Sequence, residues 1–292
     1  MAQPVRRQTG QPPVRLLPKR AGGPAEPGLL LLHGLSNSAA LWDPYLARST
    51  ADGPVWAAEL PWRGTGVADW SHHPAPLDWM RQTLDSTAEA TGGCDIVVAH
   101  SYAALLLLNL LGGAEPGAAP DRELPRRWGI RGLVLVSPFY RAAPQDFDYA
   151  TLAGLLDRVQ EHMAECLAVM SQGRGDPALR RAMARRLCEL IGPYGWTRFF
   201  EQYLRTPWID PARLDLPVLV ITSPTDRMAP PAEAAALARG LPQAELHTLE
   251  DCGHFPMTEQ SEHFAALVDG FVDRFRTRGE TVAHSACMGD RS

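Results

Sequence analysis

No stretch of the chain approaches the ~18 consecutive apolar residues that a membrane-spanning helix needs. The leucine-rich run Leu105 to Leu111 is far too short. The amino terminus carries Arg6, Arg7, Arg15, Lys19 and Arg20 among prolines and polar residues, with no apolar run before a small-residue cleavage site, so export by a standard signal is not expected. Paired cysteines are also lacking: Cys94, Cys166, Cys188, Cys252 and Cys287 are odd in number, widely spaced and without a C-x-x-C pair. That pattern fits free thiols in a reducing cytoplasm, with Cys252 a small apolar filler. There is no metal-ligand cluster, dinucleotide fingerprint or phosphate-binding loop, so no cofactor is expected. A net charge of −5 and the absence of any nucleic-acid module argue against a phosphate-backbone partner.

What is present is material for one large domain with an insertion. The 292 residues are 45% hydrophobic and 21% charged, a balance that fits a globular chain with a substantial core. Residues 1–27 are rich in Pro, Arg, Gln and Gly and read as an irregular lead-in that could end in an edge hairpin. From Gly28 onward, Leu29 to Leu32, Val97 to Ala99, Leu133 to Val136 and Val218 to Ile221 are continuous apolar runs, the mark of parallel strands buried on both faces. Val55 to Glu59 and Ala244 to Leu249 read as further strands.

Helical patterns alternate with these runs. Ser101 to Leu111 is apolar nearly all round and stops at Gly112 and Gly113, while Phe264, Leu267, Val268, Phe271, Val272 and Phe275 form one apolar stripe. The alternation predicts an α/β fold, a doubly wound and mostly parallel sheet. Between Leu133 and Val218 lie helical periods without a strand: Tyr149 to Met170, Pro177 to Leu190 and Tyr194 to Leu204. The expected organisation is a core of 28–140 and 209–276, a helical cap insertion of 141–208, and a polar tail of 277–292.

Three strings carry chemistry. DIVVAHSYAA, Asp95 to Ala104, runs an apolar strand into His100-Ser101-Tyr102 and then directly into a helix. LLLHGLSNSAAL, Leu30 to Leu41, ends a strand in His33-Gly34. CGHFPMTEQ, Cys252 to Gln260, sets His254 in a turn before the last helix. Together they resemble the α/β-hydrolase family. The resemblance implies a nucleophile elbow at Ser101, although alanines 99 and 103 replace the glycines of G-x-S-x-G. It implies an oxyanion hole from the N-H groups of Leu35 and Tyr102, with His33 bracing the loop, and a base at His254. The orienting acid would be Asp226, in Ser223-Pro224-Thr225-Asp226-Arg227, because Ser101, Asp226 and His254 then follow the family's chain order. No acid follows the Leu133 strand, where Ser137 to Tyr140 reads SPFY.

Glu59-Leu60-Pro61-Trp62-Arg63-Gly64-Thr65-Gly66 sits where the family has a D-x-P-G-x-G loop, so Trp62 either intrudes on the pocket or packs beneath it. Phe139, Tyr140, Trp196 and Phe200 are further candidates for an apolar acyl pocket. Arg174, Arg180, Arg181, Arg185 and Arg186 could receive an acidic acyl carrier protein, or form a solvated helix face. The activity these residues imply is hydrolysis of an acyl ester or thioester. The same groups could serve a cyclase, acyltransferase, eliminase or carbon-carbon hydrolase, and a binding protein that kept the fold without turnover is the reading from another class.

Overall fold

A computed structural model describes residues 14–23, 26–63, 70–113, 123–171 and 173–276. The apolar runs do form the centre of the molecule. Strands β1 (Arg15–Arg20), β2 (Leu29–Leu32), β3 (Val55–Glu59), β4 (Ile96–His100), β5 (Gly132–Val136), β6 (Val218–Thr222) and β7 (Ala244–Thr248) join one seven-stranded sheet in the order β1-β3-β2-β4-β5-β6-β7. All pairings are parallel except β1 with β3. The lead-in therefore ends in an edge strand that pairs with β3 and not in a hairpin with β2. Residues 1–13 and the tail 277–292 lie outside the described residues.

Side chains alternate across the pleat, which divides each strand between two cores. Leu30, Leu32, Val97, Ala99, Leu133, Leu135, Val218 and Val220 face one layer. Leu29, Leu31, Ile96, Val98, Val134, Val136, Leu219 and Ile221 face the other. Every residue of β2, β4, β5 and β6 is buried, which is why these strands read as unbroken apolar runs.

The longer helices are α1 (Pro76–Thr91), α2 (Tyr102–Gly112), α3 (Tyr149–Met170), α4 (Pro177–Leu204), α5 (Pro231–Gly240) and α6 (Ser261–Arg276); α3 and α4 pack chiefly against each other, and the other four cover the sheet. Helix α2 is buried along its whole length and stops where Gly113 turns left-handed, at φ 65°. Helix α6 lays Phe264, Val268, Phe271, Val272 and Phe275 on the sheet, the stripe expected from their spacing. The last two helical periods of the insertion are joined in α4, which is broken by Gly192 at φ 63° and by Pro193. Among the described residues the segment between β5 and β6 holds no strand, and no helix is long and apolar enough to cross a membrane.

The connection after β2 leads outward to β3, whereas the one after β4 leads the opposite way to β5. The carboxyl ends of β2 and β4 therefore flank a topological switch point, where open α/β sheets form their crevice. His33-Gly34-Leu35 and Ser101 stand at those two ends.

Gly132 lets α6 close on β5. A Cβ there would lie 2.5 Å from Cζ of Phe275 and 3.1 Å from the Phe271 ring. Gly132→Ala is expected to lower stability by about 1–3 kcal/mol, read as an earlier urea midpoint at unchanged slope. A midpoint equal to that of the parent would contradict this packing.

Candidate active site

Ser101 joins β4 to α2 at φ 56°, ψ −118°, a conformation unfavourable for any L-residue with a side chain. The turn is held because the Ser101 N-H donates to Val136 O at 2.9 Å and its carbonyl accepts from Leu105 N at 3.0 Å. Ala99 and Ala103 are completely buried beside it, so the two alanines accommodate the sharp turn.

Two other loops converge on this hydroxyl. His254, after β7, accepts from Ser101 Oγ through Nε2 at 2.9 Å, and its Nδ1-H donates to Asp226 Oδ2 at 2.8 Å. Asp226 follows β6, and its second oxygen accepts from the N-H groups of Met228 and Ala229, both at 2.9 Å. Burial pushes the Asp226 carboxyl up, but the facing His254 imidazole, the Ala229 N-H and the Ser137 hydroxyl outweigh it and hold the group below its ordinary range. Three residues separated by up to 153 positions thus form one hydrogen-bonded line.

The loop after β2 passes directly beneath. A Cβ on Gly34 would stand 2.9 Å from Nδ1 of His100 and 3.0 Å from Cβ of Ser101, so glycine is required for the loop to lie this close. Among the described residues the Leu35 N-H donates to no backbone carbonyl, and the Tyr102 N-H, first in α2, has no preceding turn to bond. Both residues line the cavity over Ser101. His33 braces the loop: its Nδ1-H donates to Gly34 O at 2.8 Å and its Nε2 accepts from Leu60 N at 3.0 Å.

The cavity is apolar. Phe139 closes one side, Met163, Leu167 and Met170 come from α3, and Leu187, Trp196 and Phe199 from α4. Trp62, Tyr140 and Phe200, candidates on sequence grounds, do not line it. Trp62 lies under the loop after β2, its Nε1-H donating to His33 O at 3.3 Å and its ring edge-on to Tyr102 at 5.1 Å. Tyr140 is buried with its N-H on Glu233, and Phe200 packs behind Phe199 at 5.3 Å. Gly64 and its neighbours through residue 69 lie outside the described residues.

Sequence reasoning passed over His100, whose ring lies 4.8 Å from that of His254, tilted by 56°, and whose Nε2-H donates to the His254 carbonyl at 2.8 Å. The available signal was its place inside the serine turn. It also passed over Ser137, buried at φ 48° at the end of β5, whose hydroxyl faces the same carbonyl at 3.4 Å.

A sequence model of the alpha/beta hydrolase family matches residues 29–268. The pimeloyl-[acyl-carrier protein] methyl ester esterase of Aromatoleum aromaticum is 28% identical over 265 residues, covering 84% of this chain and 98% of that protein. A 2-hydroxy-6-oxononadienedioate/2-hydroxy-6-oxononatrienedioate hydrolase of Pseudomonas putida is 26% identical over 60% of this chain and 59% of its own length. Among solved structures, a bacterial membrane phospholipase A superposes with a TM-score of 0.65 at 21% identity, covering 90% of this chain and 83% of that one.

Burial holds two imidazoles of the site neutral: desolvation pulls His33 down to about 4 and His100 to about 3, from 6.5. Their folded values lie below the unfolded one, so their contribution to stability is complete above pH 6.5 and is lost as pH falls towards 4. The slope in that window is at most about 3 kcal/mol per pH unit for the pair. Urea midpoints at pH 7 and pH 5 are expected to differ accordingly, and His100→Gln to flatten the difference. Equal slopes in parent and variant would rule out a neutral buried His100.

Proposed function

We propose that this chain, which belongs to the alpha/beta hydrolase family, is a serine esterase that cleaves a carboxylic ester or thioester of an apolar acyl group through an acyl-Ser101 intermediate. The observation that carries the reading is the continuous line from a positive-φ serine hydroxyl through His254 to a buried carboxylate. In the first half-reaction Ser101 Oγ attacks the carbonyl carbon while Nε2 of His254 takes its proton. Asp226 holds the Nδ1-H and stabilises the imidazolium that forms. The N-H groups of Leu35 and Tyr102 receive the oxyanion. Collapse breaks the bond to the leaving group, which departs with the proton from His254. Water, deprotonated by the same nitrogen, then releases the acid and restores the hydroxyl.

The buried neighbours of this line favour acyl transfer to water over simple ligand binding. A protein that only held a ligand would have no need of a strained serine aligned with a paired imidazole, a costly arrangement. The substrate is read from the cavity: methionine, leucine and aromatic side chains of 141–208 offer its acyl end no charge. We assign that segment as the cap. Relatives named for an acyl-carrier-protein methyl ester make a carrier-borne acyl group a candidate substrate. Arg181 and Arg185 on α4 are the cations it would meet, since Arg186 pairs with Glu189 at 3.3 Å and Arg174 and Arg180 bond backbone carbonyls. The described cysteines are free thiols, which fits a cytoplasmic enzyme.

A fluorophosphonate probe should label Ser101, and Ser101→Ala should abolish labelling and lower kcat at least ~10³-fold on short acyl esters. Gly34→Ala, which displaces the loop bearing the Leu35 donor, should cost about 10²-fold in kcat with labelling slowed. Undiminished labelling of Ser101→Ala would refute the nucleophile.

A further inference from the structure

The segment that presents His254 is held by side chains at the peptide groups before Gly253 and after His254. The carbonyl of Cys252 accepts from both Ser223 Oγ and Thr225 Oγ1. The N-H of Gly253 donates to Oε2 of Glu259 at 2.9 Å. The carbonyl of His254 accepts from His100 and Ser137. The N-H of Phe255 donates to Oε1 of the same Glu259, again at 2.9 Å.

One carboxylate thus takes the N-H groups on either side of His254. Rotation about φ or ψ of residue 254 would break one of those two bonds, so the pair fixes the backbone that carries the imidazole. The opposite edge of the segment is pinned by hydroxyls and an imidazole rooted at the ends of β4, β5 and β6. Glu259 is itself held, because it closes a single helical turn in which its N-H donates to Phe255 O at 2.9 Å.

We propose that Glu259 is a positioning residue for His254, with His100 its counterpart on the carbonyl side, and that together they set the distance between Nε2 and Ser101 Oγ. This rests on the reading of His254 as the base. A carboxylate that strapped a loop only for stability would not have to bracket the reactive residue. Proton transfer is steep in geometry, and displacements of about 1 Å can cost ~10²-fold in rate. The supporting contacts of a site commonly decide whether its reactive groups are held within tolerance.

The test is a double-mutant cycle in the full chain, assayed well below the melting temperature with active-site concentration fixed by probe titration. Glu259→Ala is expected to lower kcat ~10–100-fold with KM changed less than about twofold, and Glu259→Gln, which keeps one acceptor oxygen, to lie between it and the parent. In a His254→Ala background, Glu259→Ala should leave the residual rate unchanged, because there is no imidazole left to place. If Glu259→Ala fails to fold, Glu259→Gln carries the same cycle. A loss of equal fold in the His254→Ala background overturns the positioning role while leaving the base assignment intact. Full activity in His254→Ala alone overturns the base assignment itself.

Discussion

One imidazole must reach two oxygens that belong to strands two places apart in the sheet. Ser101 follows β4 and Asp226 follows β6, with β5 between those strands. Neighbouring strands lie about 4.8 Å apart, so the oxygens could not meet directly, and a ring from a third loop has to bridge them. That ring comes from beyond the edge strand β7 and folds back across the sheet. The constraint explains features that have no local cause. β5 must end without obstructing the bridge, and it does so in a small buried serine, Ser137, that turns at positive φ. Its hydroxyl faces the carbonyl of the bridging residue.

Bringing polar groups this close beneath a covering of apolar helices creates a desolvation problem that the fold solves in two ways. The carboxylate of Asp226 stays charged because an imidazole and backbone N-H groups surround it. The supporting histidines His33 and His100 stay neutral, because burial penalises their charged forms. The inserted helices need their own anchorage to the core. Tyr203 of α4 donates to Glu233 of α5, while Arg141, just past β5, gives its Nε-H to the Tyr203 hydroxyl at 2.9 Å and to Glu233 at 3.2 Å. Phe139, which lines the cavity, packs edge-on against Tyr203 and Phe199. The shape of the cavity over Ser101 is therefore tied to a buried polar cluster as well as to apolar packing.

Much of this was legible in the residues. Strands buried on both faces announce themselves as unbroken apolar runs, and Leu29 to Leu32 or Val218 to Ile221 need no partner information to be recognised. The convergence of Ser101, Asp226 and His254 was legible because each follows a strand and their order matches a known arrangement. Pocket membership was harder. Trp62, Tyr140 and Phe200 are aromatic residues near the site in sequence, but whether a ring faces a cavity or the layer behind it depends on helix rotation and loop path, which composition does not encode. Trp62 turned inward because its indole N-H found the His33 carbonyl. The edge pairing of β1 with β3 was hidden for a similar reason, since strand neighbours in sequence need not be neighbours in the sheet. His100 adjoins Ser101 and Glu259 lies five residues beyond His254, yet both act through bonds to backbone groups, and such bonds leave no periodic signature.

A covalent bond to one oxygen is the most direct consequence of the proposed function. Mixing the enzyme with a 4-nitrophenyl ester of a short fatty acid, quenching within the first turnover and weighing the intact protein and its peptides tests this directly. The predicted result is a transient gain of one acyl mass, located on the peptide bearing Ser101 and formed with a stoichiometric burst of nitrophenol. Steady turnover with no acyl adduct at any quench time, or an adduct on another residue, would contradict it.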